Sequence, residues 1–265
     1  MLMALAATTR GATLQATATA SVTDHAVLRL EAVNGGDAPV ADVIPQVVYQ
    51  GREEYGAALA SLPAGARHVW TFDLPPPAEP GAVPAMFRVT YTEPDGHRTS
   101  IPAVASVETP GLLAVPEVRA TLTVSPVTRF GHGAVVLENP TPAPVYGRVI
   151  VALPGGLTIE PESQPASVAA QGRSEVPIVV QNEGAVPGSS APMFALFDYV
   201  ADGRRHLSLA SAAATVDTGH AAASPLLVGA AALGLALALL GVAWRRAGRR
   251  VAEARNGASR GARDA

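Results

Sequence analysis

The chain has 265 residues, no cysteine and a formal net charge of −3, and every one of its 19 basic residues is arginine. Without cysteine it cannot be a disulfide-stapled secreted scaffold, a thiolate metal centre or a cysteine nucleophile. From Arg245 onward seven arginines face Glu253 and Asp264, a balance of +5, which leaves −8 on the preceding part; so acidic a surface is a poor one for nucleic acid, whose affinity rests on basic contacts to phosphate.

At the N-terminus, Met1–Ala7 reads MLMALAA. It is apolar but lacks the basic lead and full apolar run of an export signal, and residues 1–11 are expected to be the remnant of one. Alternation begins next. Leu14–Val22, LQATATASV, is apolar at every even position and polar at every odd one, and Leu28, Leu30 and Ala32 continue the same period. No window between Gly11 and Thr215 sustains a 3.6-residue stripe, and Asn-Gly, Pro-Gly and Asp-Gly punctuate the runs. Short alternating runs separated by turn signals predict an all-β fold of sandwich type.

An internal repeat divides this region. Asn34 precedes Pro39-Val40 as Asn139 precedes Pro144-Val145; Gly65 corresponds to Gly172, Pro80-Gly81 to Pro187-Gly188, Met86-Phe87 to Met193-Phe194, Tyr91 to Tyr199 and Gly96 to Gly203. The offsets lie between 105 and 108 throughout, and matches in one order at nearly one offset mark a duplication. The expected organisation is two tandem immunoglobulin-like β-sandwiches, 12–107 and 118–216, each near the hundred residues of that fold. A proline-bounded linker, 108–117, joins them, and a small polar connector, 217–225, follows.

With Asn-Gly-Gly-Asp and Pro-Val after a strand, then Leu-Pro-Ala-Gly, Pro-Gly and Tyr-x-x-x-Asp-Gly, the first copy resembles the CARDB-type (cell-adhesion-related, bacterial) immunoglobulin-like module. The second copy, with Glu138-Asn139-Pro140, Leu153-Pro154-Gly155-Gly156-Leu157 and Gln171-Gly172-Arg173-Ser174, is similar to modules associated with alpha-galactosidases and bacterial surface repeats. The resemblance covers most of residues 12–216 and implies an extracytoplasmic spacer or adhesion module without catalytic residues. The run Pro75-Pro76-Pro77 departs from it.

Candidate chemistry is sparse. Six histidines (25, 68, 97, 132, 206 and 220) show no metal-ligand spacing with a carboxylate partner, so no metal site or cofactor is expected. His97 and His206, each after an Asp-Gly pair, are expected at solvated hairpin tips. Glu53 and Glu54 could imitate a glycosidase pair, but neighbours on a strand point to opposite faces. No Gly-x-Ser-x-Gly elbow or phosphate-cradling loop is present, and the chain is expected not to be an enzyme. Trp70, Tyr49, Tyr55, Tyr146 and Phe130 are the aromatics that could stack on sugars if exposed; Trp70 shares a face with Phe72 and is expected in the core.

Beyond the connector, Leu226–Trp244, LLVGAAALGLALALLGVAW, holds nineteen residues without a charge. At about 1.5 Å per residue a helix of that length spans the roughly 30 Å hydrocarbon core of a bilayer. A single transmembrane helix is expected at 226–244, with Leu226, Leu233, Leu237, Leu240 and Trp244 as its lipid-facing anchor. Arg245, Arg246, Arg249 and Arg250 follow at once, placing the 245–265 tail in the cytoplasm and the modules outside the cytoplasmic membrane, in periplasm or at the surface. Ala230, Gly234 and Ala238, four apart, would allow close helix pairing.

The function expected from these features is that of a membrane-anchored extracytoplasmic binding or scaffold protein. An accessory subunit of an envelope transport or polysaccharide-export complex shares the architecture, and an envelope glycan hydrolase would need two convergent carboxylates. Expected partners are membrane lipid and an envelope protein or glycan, and not nucleic acid.

Overall fold

A strand that alternates apolar and polar residues has one face to bury, so it is stable only when a second sheet covers that face. In the computed structural model, which describes residues 10–11, 14–109 and 118–218, this requirement is met by seventeen strands and, among those residues, no helix. After a short β1 (Arg10–Gly11), the first module comprises β2 (Leu14–Val22), β3 (Ala26–Asn34), β4 (Val40–Tyr49), β5 (Arg52–Tyr55), β6 (Leu59–Leu62), β7 (Arg67–Leu74), β8 (Ala82–Thr92) and β9 (Arg98–Glu108). One sheet has the order β2-β3-β7; the other is β5-β4-β8-β9, with β6 also pairing β4.

The second module repeats the plan. Its strands are β10 (Arg119–Val124), β11 (Phe130–Glu138), β12 (Val145–Ala152), β13 (Leu157–Ile159), β14 (Ser163–Val168), β15 (Arg173–Asn182), β16 (Ser189–Ala201) and β17 (Arg204–Thr215). They form the sheets β10-β11-β15-β13 and β14-β12-β16-β17, and β1 adds in parallel to β16 at Ser189–Ser190. Both strand orders are those of an immunoglobulin-like sandwich. Each module has its own core, drawn from Leu14–Val107 in one and Val118–Val216 in the other.

The residues that recur in the sequence do the same work in both copies. Asn34, fully buried, donates from Nδ2 to the carbonyls of Ala38 and Leu62, both at 2.9 Å, while its Oδ1 accepts from the Gly36 N–H at 3.0 Å. Asn139 makes the corresponding set with Ala143 (2.8 Å), Ala169 (3.0 Å) and the Thr141 N–H (3.0 Å). One side chain thus ties a strand end to two loops. Replacing Asn34 by alanine strands two carbonyls and an N–H, and the expected loss is about 2–3 kcal/mol in chemical denaturation. The tyrosines are equivalent too: the Val118 N–H donates to the Tyr199 hydroxyl at 3.0 Å, and the Leu14 N–H to that of Tyr91, whose burial, followed by the charge of Glu93, pushes its phenol well above the usual range. Each bond pins the first strand of a module to its penultimate one.

One pairing differs from the sequence alignment. Gly65 (φ +69°) corresponds not to Gly172 but to Gln171 (φ +50°). Gly172 instead takes the place of Ala66, since the Asn34 N–H donates to Ala66 O and the Asn139 N–H to Gly172 O, each at 2.9 Å. Glutamine tolerates the left-handed position here, so the glycine was free to drift by one residue. Trp70 lies in the core, its Nε1 donating to Ala57 O at 2.7 Å, and Tyr49 is buried as well.

Gly219–Ala265 lies outside the described residues, and with it the anchor leucines, Trp244, the arginines at 245, 246, 249 and 250, and the Ala230, Gly234, Ala238 triplet. Among the described residues no helix is long and apolar enough to cross a membrane.

Candidate functional site

Because β-strand side chains alternate, residues of β8 and β9 that do not enter the first core point out of it, and likewise those of β12, β16 and β17 from the second. These two outer faces pack on each other. Val104, Leu196 and Leu207 form the buried centre, bordered by Ala82, Ile150, Ala152 and Phe194. The modules therefore lie side by side along their strands, in a third, smaller apolar layer.

Backbone contacts fix both ends of this joint. At one end Gly81 bridges Arg205 in parallel, and the Arg205 N–H donates to Pro80 O at 3.2 Å. A Cβ on Gly81 would lie 2.1 Å from Arg205 O, and the residue sits at φ +131°. At the other end the Gly155 N–H donates to Ser100 O at 2.7 Å, and a Cβ there would lie 2.6 Å from Ser100 N. Only glycine lets the chains come this close. The three prolines of 75–77 serve this contact: Gln50 donates to Pro76 O at 3.2 Å and accepts from the Ala78 N–H at 3.0 Å, steadying the loop that presents Pro80 and Gly81.

Beside Gly81 lies a charge cluster. Asp198, buried on β16, accepts from Arg205 Nε and Nη2, both at 2.6 Å, and from Arg148 Nε at 3.1 Å, with Arg148 Nη2 in ion-pair range at 3.1 Å. Arg205 is bound bidentately, and Asp198 accordingly holds its guanidinium above the usual range. Arg148 shares one oxygen, and its side chain is 56% exposed. Glu79, which lines the same space between the modules, adds its charge toward Arg205, so the two guanidinium groups are met by two carboxylates.

That space is a groove. One stretch, about 330 Å³, runs among Val48, Pro84, Met86, Glu79, Arg148 and Arg205. A second, about 520 Å³, continues past Val48 and Met86 to Gln46, Arg88, Ile150 and Ala152. Outside its lining, on the same sheet faces, Tyr55 stands opposite Gln46 and Glu53 opposite Val48, while Tyr146 precedes Arg148 by two residues. Tyr55 and Tyr146 are 63% and 68% exposed. The Tyr55 hydroxyl and Gln46 Nε2 both donate to Glu53 Oε1. Chemically the groove offers an apolar floor, arginine and amide donors, and the carboxylates of Glu79 and Glu162.

Of the other sequence candidates, Glu53 and Glu54 are exposed on β5 and point to opposite faces. Phe130 is partly exposed, with Arg129 over its ring at 5.3 Å. His206 is not at a solvated hairpin tip. It lies three residues past Gly203, opposite Tyr199 in register, and its ring stacks on that tyrosine at 5.2 Å with Nε2 enclosed. His97 directly follows its Asp-Gly pair, and its N–H caps Asp95 Oδ1 at 3.0 Å. Among the described residues no three of His, Asp and Glu are grouped to hold a metal ion. Sequence reasoning passed over Arg148, Asp198 and Arg205, and took Gly81 and Gly155 as turn signals rather than as contacts between the modules. The available signal was Asp198 itself, the one charge in Met193–Val200 of an otherwise apolar strand.

The chain matches no protein-family model and no curated protein. Among solved structures it is similar to the E. coli chaperone DraB (12% identity, TM-score 0.31, 77% of this chain and 97% of that one). A protein of unknown function from Porphyromonas gingivalis W83 gives 16% identity and a TM-score of 0.27, over 76% of this chain and 100% of that one. Red sea bream transglutaminase gives 15% and 0.28; 78% of this chain is covered, which spans about a third (32%) of the transglutaminase. Likeness of this degree carries nothing about activity or partners.

Proposed function

We propose that this protein is a membrane-anchored extracytoplasmic binding or scaffold protein. Two CARDB-type modules are held outside the cytoplasmic membrane by one helix at 226–244, and they act by recognition rather than catalysis. The observation that carries the reading is the charge-free run of nineteen residues followed at once by Arg245, Arg246, Arg249 and Arg250. The sandwiches support it: strands joined by tight turns and pinned by buried asparagine and tyrosine suit a durable domain built without disulfides. The test is cell fractionation of the full chain with a tag after Ala265. Recovery in the membrane fraction, with the tag protected from protease added outside while the modules are cleaved, is the expected result; recovery in the cytosol refutes the proposal.

A second reading, an accessory subunit of an envelope transport or export complex, draws on Ala230, Gly234 and Ala238. Exchanging 226–244 for an unrelated span separates the two. Activity survives the exchange if the span only anchors, and is lost if it pairs with a partner helix.

A further inference from the structure

The second module packs on the first through one of its two sheets, β14-β12-β16-β17. The outer face of the other, β10-β11-β15-β13, is open, and we infer that two copies of this chain pair through it.

The duplication supplies the comparison. On the outer face of β3 and β7, the first module sets Glu31 opposite Val69, Arg29 opposite Thr71 and Val27 opposite Asp73. The matching rows of β11 and β15 hold Val136 opposite Glu175, Ala134 opposite Pro177 and His132 opposite Val179. In the first module each of these valines stands against a carboxylate. In the second, Val136, Ala134, Pro177 and Val179 adjoin one another, and Phe130 extends the block at its end. Val179 is 45% and Phe130 42% exposed. One fold accepts either set, so folding does not require the apolar one, and a contiguous apolar patch left in water marks an interaction surface.

Charge selects the occupant. At one end of the patch Glu138 stands between Arg119 and Arg173, opposite both in register, and with Glu175 these charges balance. A two-fold axis running along the strands, between β11 and β15, lays β11 of each copy over β15 of the other in the aligned packing of stacked sheets. Register neighbours then become neighbours across the interface: Glu138 meets Arg173 of the second copy, and Ala134 meets Pro177. At the other end Arg129, held over the Phe130 ring, comes toward Glu183 of the second copy. The same operation lays β10 over β13, so Glu160 and Glu162, beside the open hollow next to Val179, come near the uncharged end of β10 rather than near Glu138 or Glu175. An unrelated partner would need this order of charges and apolar rows on its own surface. A second copy has it by symmetry.

Three strands about 4.8 Å apart, each nine residues long like β11 at about 3.4 Å per residue, cover roughly 430 Å² per copy, or about 900 Å² for the pair. That is below the roughly 1,200 Å² of a standard interface, so the dimer is a weak one. The proposed membrane anchor would strengthen it by raising the effective concentration, but the pairing goes beyond that reading and does not depend on it.

The test is sedimentation equilibrium of the full-length chain in detergent micelles, at concentrations up to about 100 μM, where a reversible monomer–dimer equilibrium is expected. Val179→Asp and Ala134→Arg place in the second module what the first carries at Asp73 and Arg29, and each is expected to weaken the dimer by at least about tenfold. Glu138→Arg is expected to weaken it by about fivefold, since the two-fold repeats each ion pair, and Glu138→Arg with Arg173→Glu to return within about threefold of the original. Thr71→Asp, on the first module, should leave it unchanged. The chain has no cysteine, so Ala134→Cys carries a lone thiol. In cells expressing it, a short bismaleimide is expected to join that thiol to its own copy, and not to join Arg29→Cys at the matching place of the first module. Melting of the exposed variants is expected to match the original; where one melts lower, the cross-link at Ala134→Cys decides. A monomer at every concentration, a dimer that Val179→Asp leaves intact and that therefore belongs to the span, or a thiol joined only to a different protein overturns the inference. None of these readouts depends on orientation in a membrane, so their failure leaves the fractionation result standing, and the reverse also holds.

Discussion

Replacing Gly81 by valine is expected to destabilise the protein by about 2–4 kcal/mol and to divide its thermal unfolding into two transitions. The Cβ would lie 2.1 Å from Arg205 O, a backbone atom that cannot rotate away, and a β-branched residue at φ +131° is strained wherever its side chain points. The Pro80–Arg205 hydrogen bond then opens, and with it the contact that seals one end of the Val104, Leu196, Leu207 layer. Scanning calorimetry reads both effects. Gly51→Ala is the control: its φ of +73° also disfavours a side chain, but nothing lies within 4 Å of the added carbon, so a local cost of about 1 kcal/mol with a single transition is expected. An original protein that already melts in two steps would show that the modules do not stabilise each other.

Removing the carboxylate of Asp198 acts on the same joint by charge. Asp198→Ala is expected to cost about 2–4 kcal/mol, measured by denaturant unfolding, because it deletes a bidentate partner of Arg205 and leaves two guanidinium groups facing each other. The figure is set below the full penalty of a buried pair because Arg148 is 56% exposed and can turn to water. Arg148→Ala should therefore cost much less than Arg205→Ala, whose side chain is 22% exposed and held at 2.6 Å. Equal losses from the two arginine variants would mean that the cluster acts through net charge rather than through these bonds.

Much of the fold was legible because its determinants are local. Alternation in Leu14–Val22 appears as β2 with the same residues partly buried, since a period of two allows only one face to be covered. The Asp202-Gly203 signal is a turn with φ of +51° and +70°, the conformation that closes a two-residue hairpin. Trp70 and Phe72, on one face of a short strand, both lie in the core. Chemistry near a turn was harder to place. His97 and His206 look alike in sequence, yet a two-residue difference in distance from Asp-Gly sends one to the tip and the other onto Tyr199.

The candidate site was not legible, for a different reason. Val104, Leu196 and Leu207 read as ordinary strand residues, and which outer face they meet depends on how two sandwiches approach each other. Tyr55 and Tyr146 were recognisable as aromatics that could be exposed, and both are, at 63% and 68%.

What the sequence alone determined is therefore the strand character, the duplication, the turn chemistry and the separate apolar run at 226–244, all carried by spacings of a few residues or by direct repetition. What only the tertiary structure decided is the side-by-side packing of the modules, the glycines that permit it and the groove it leaves. These depend on contacts between outer faces, and no periodicity within a strand encodes which distant surface will cover it.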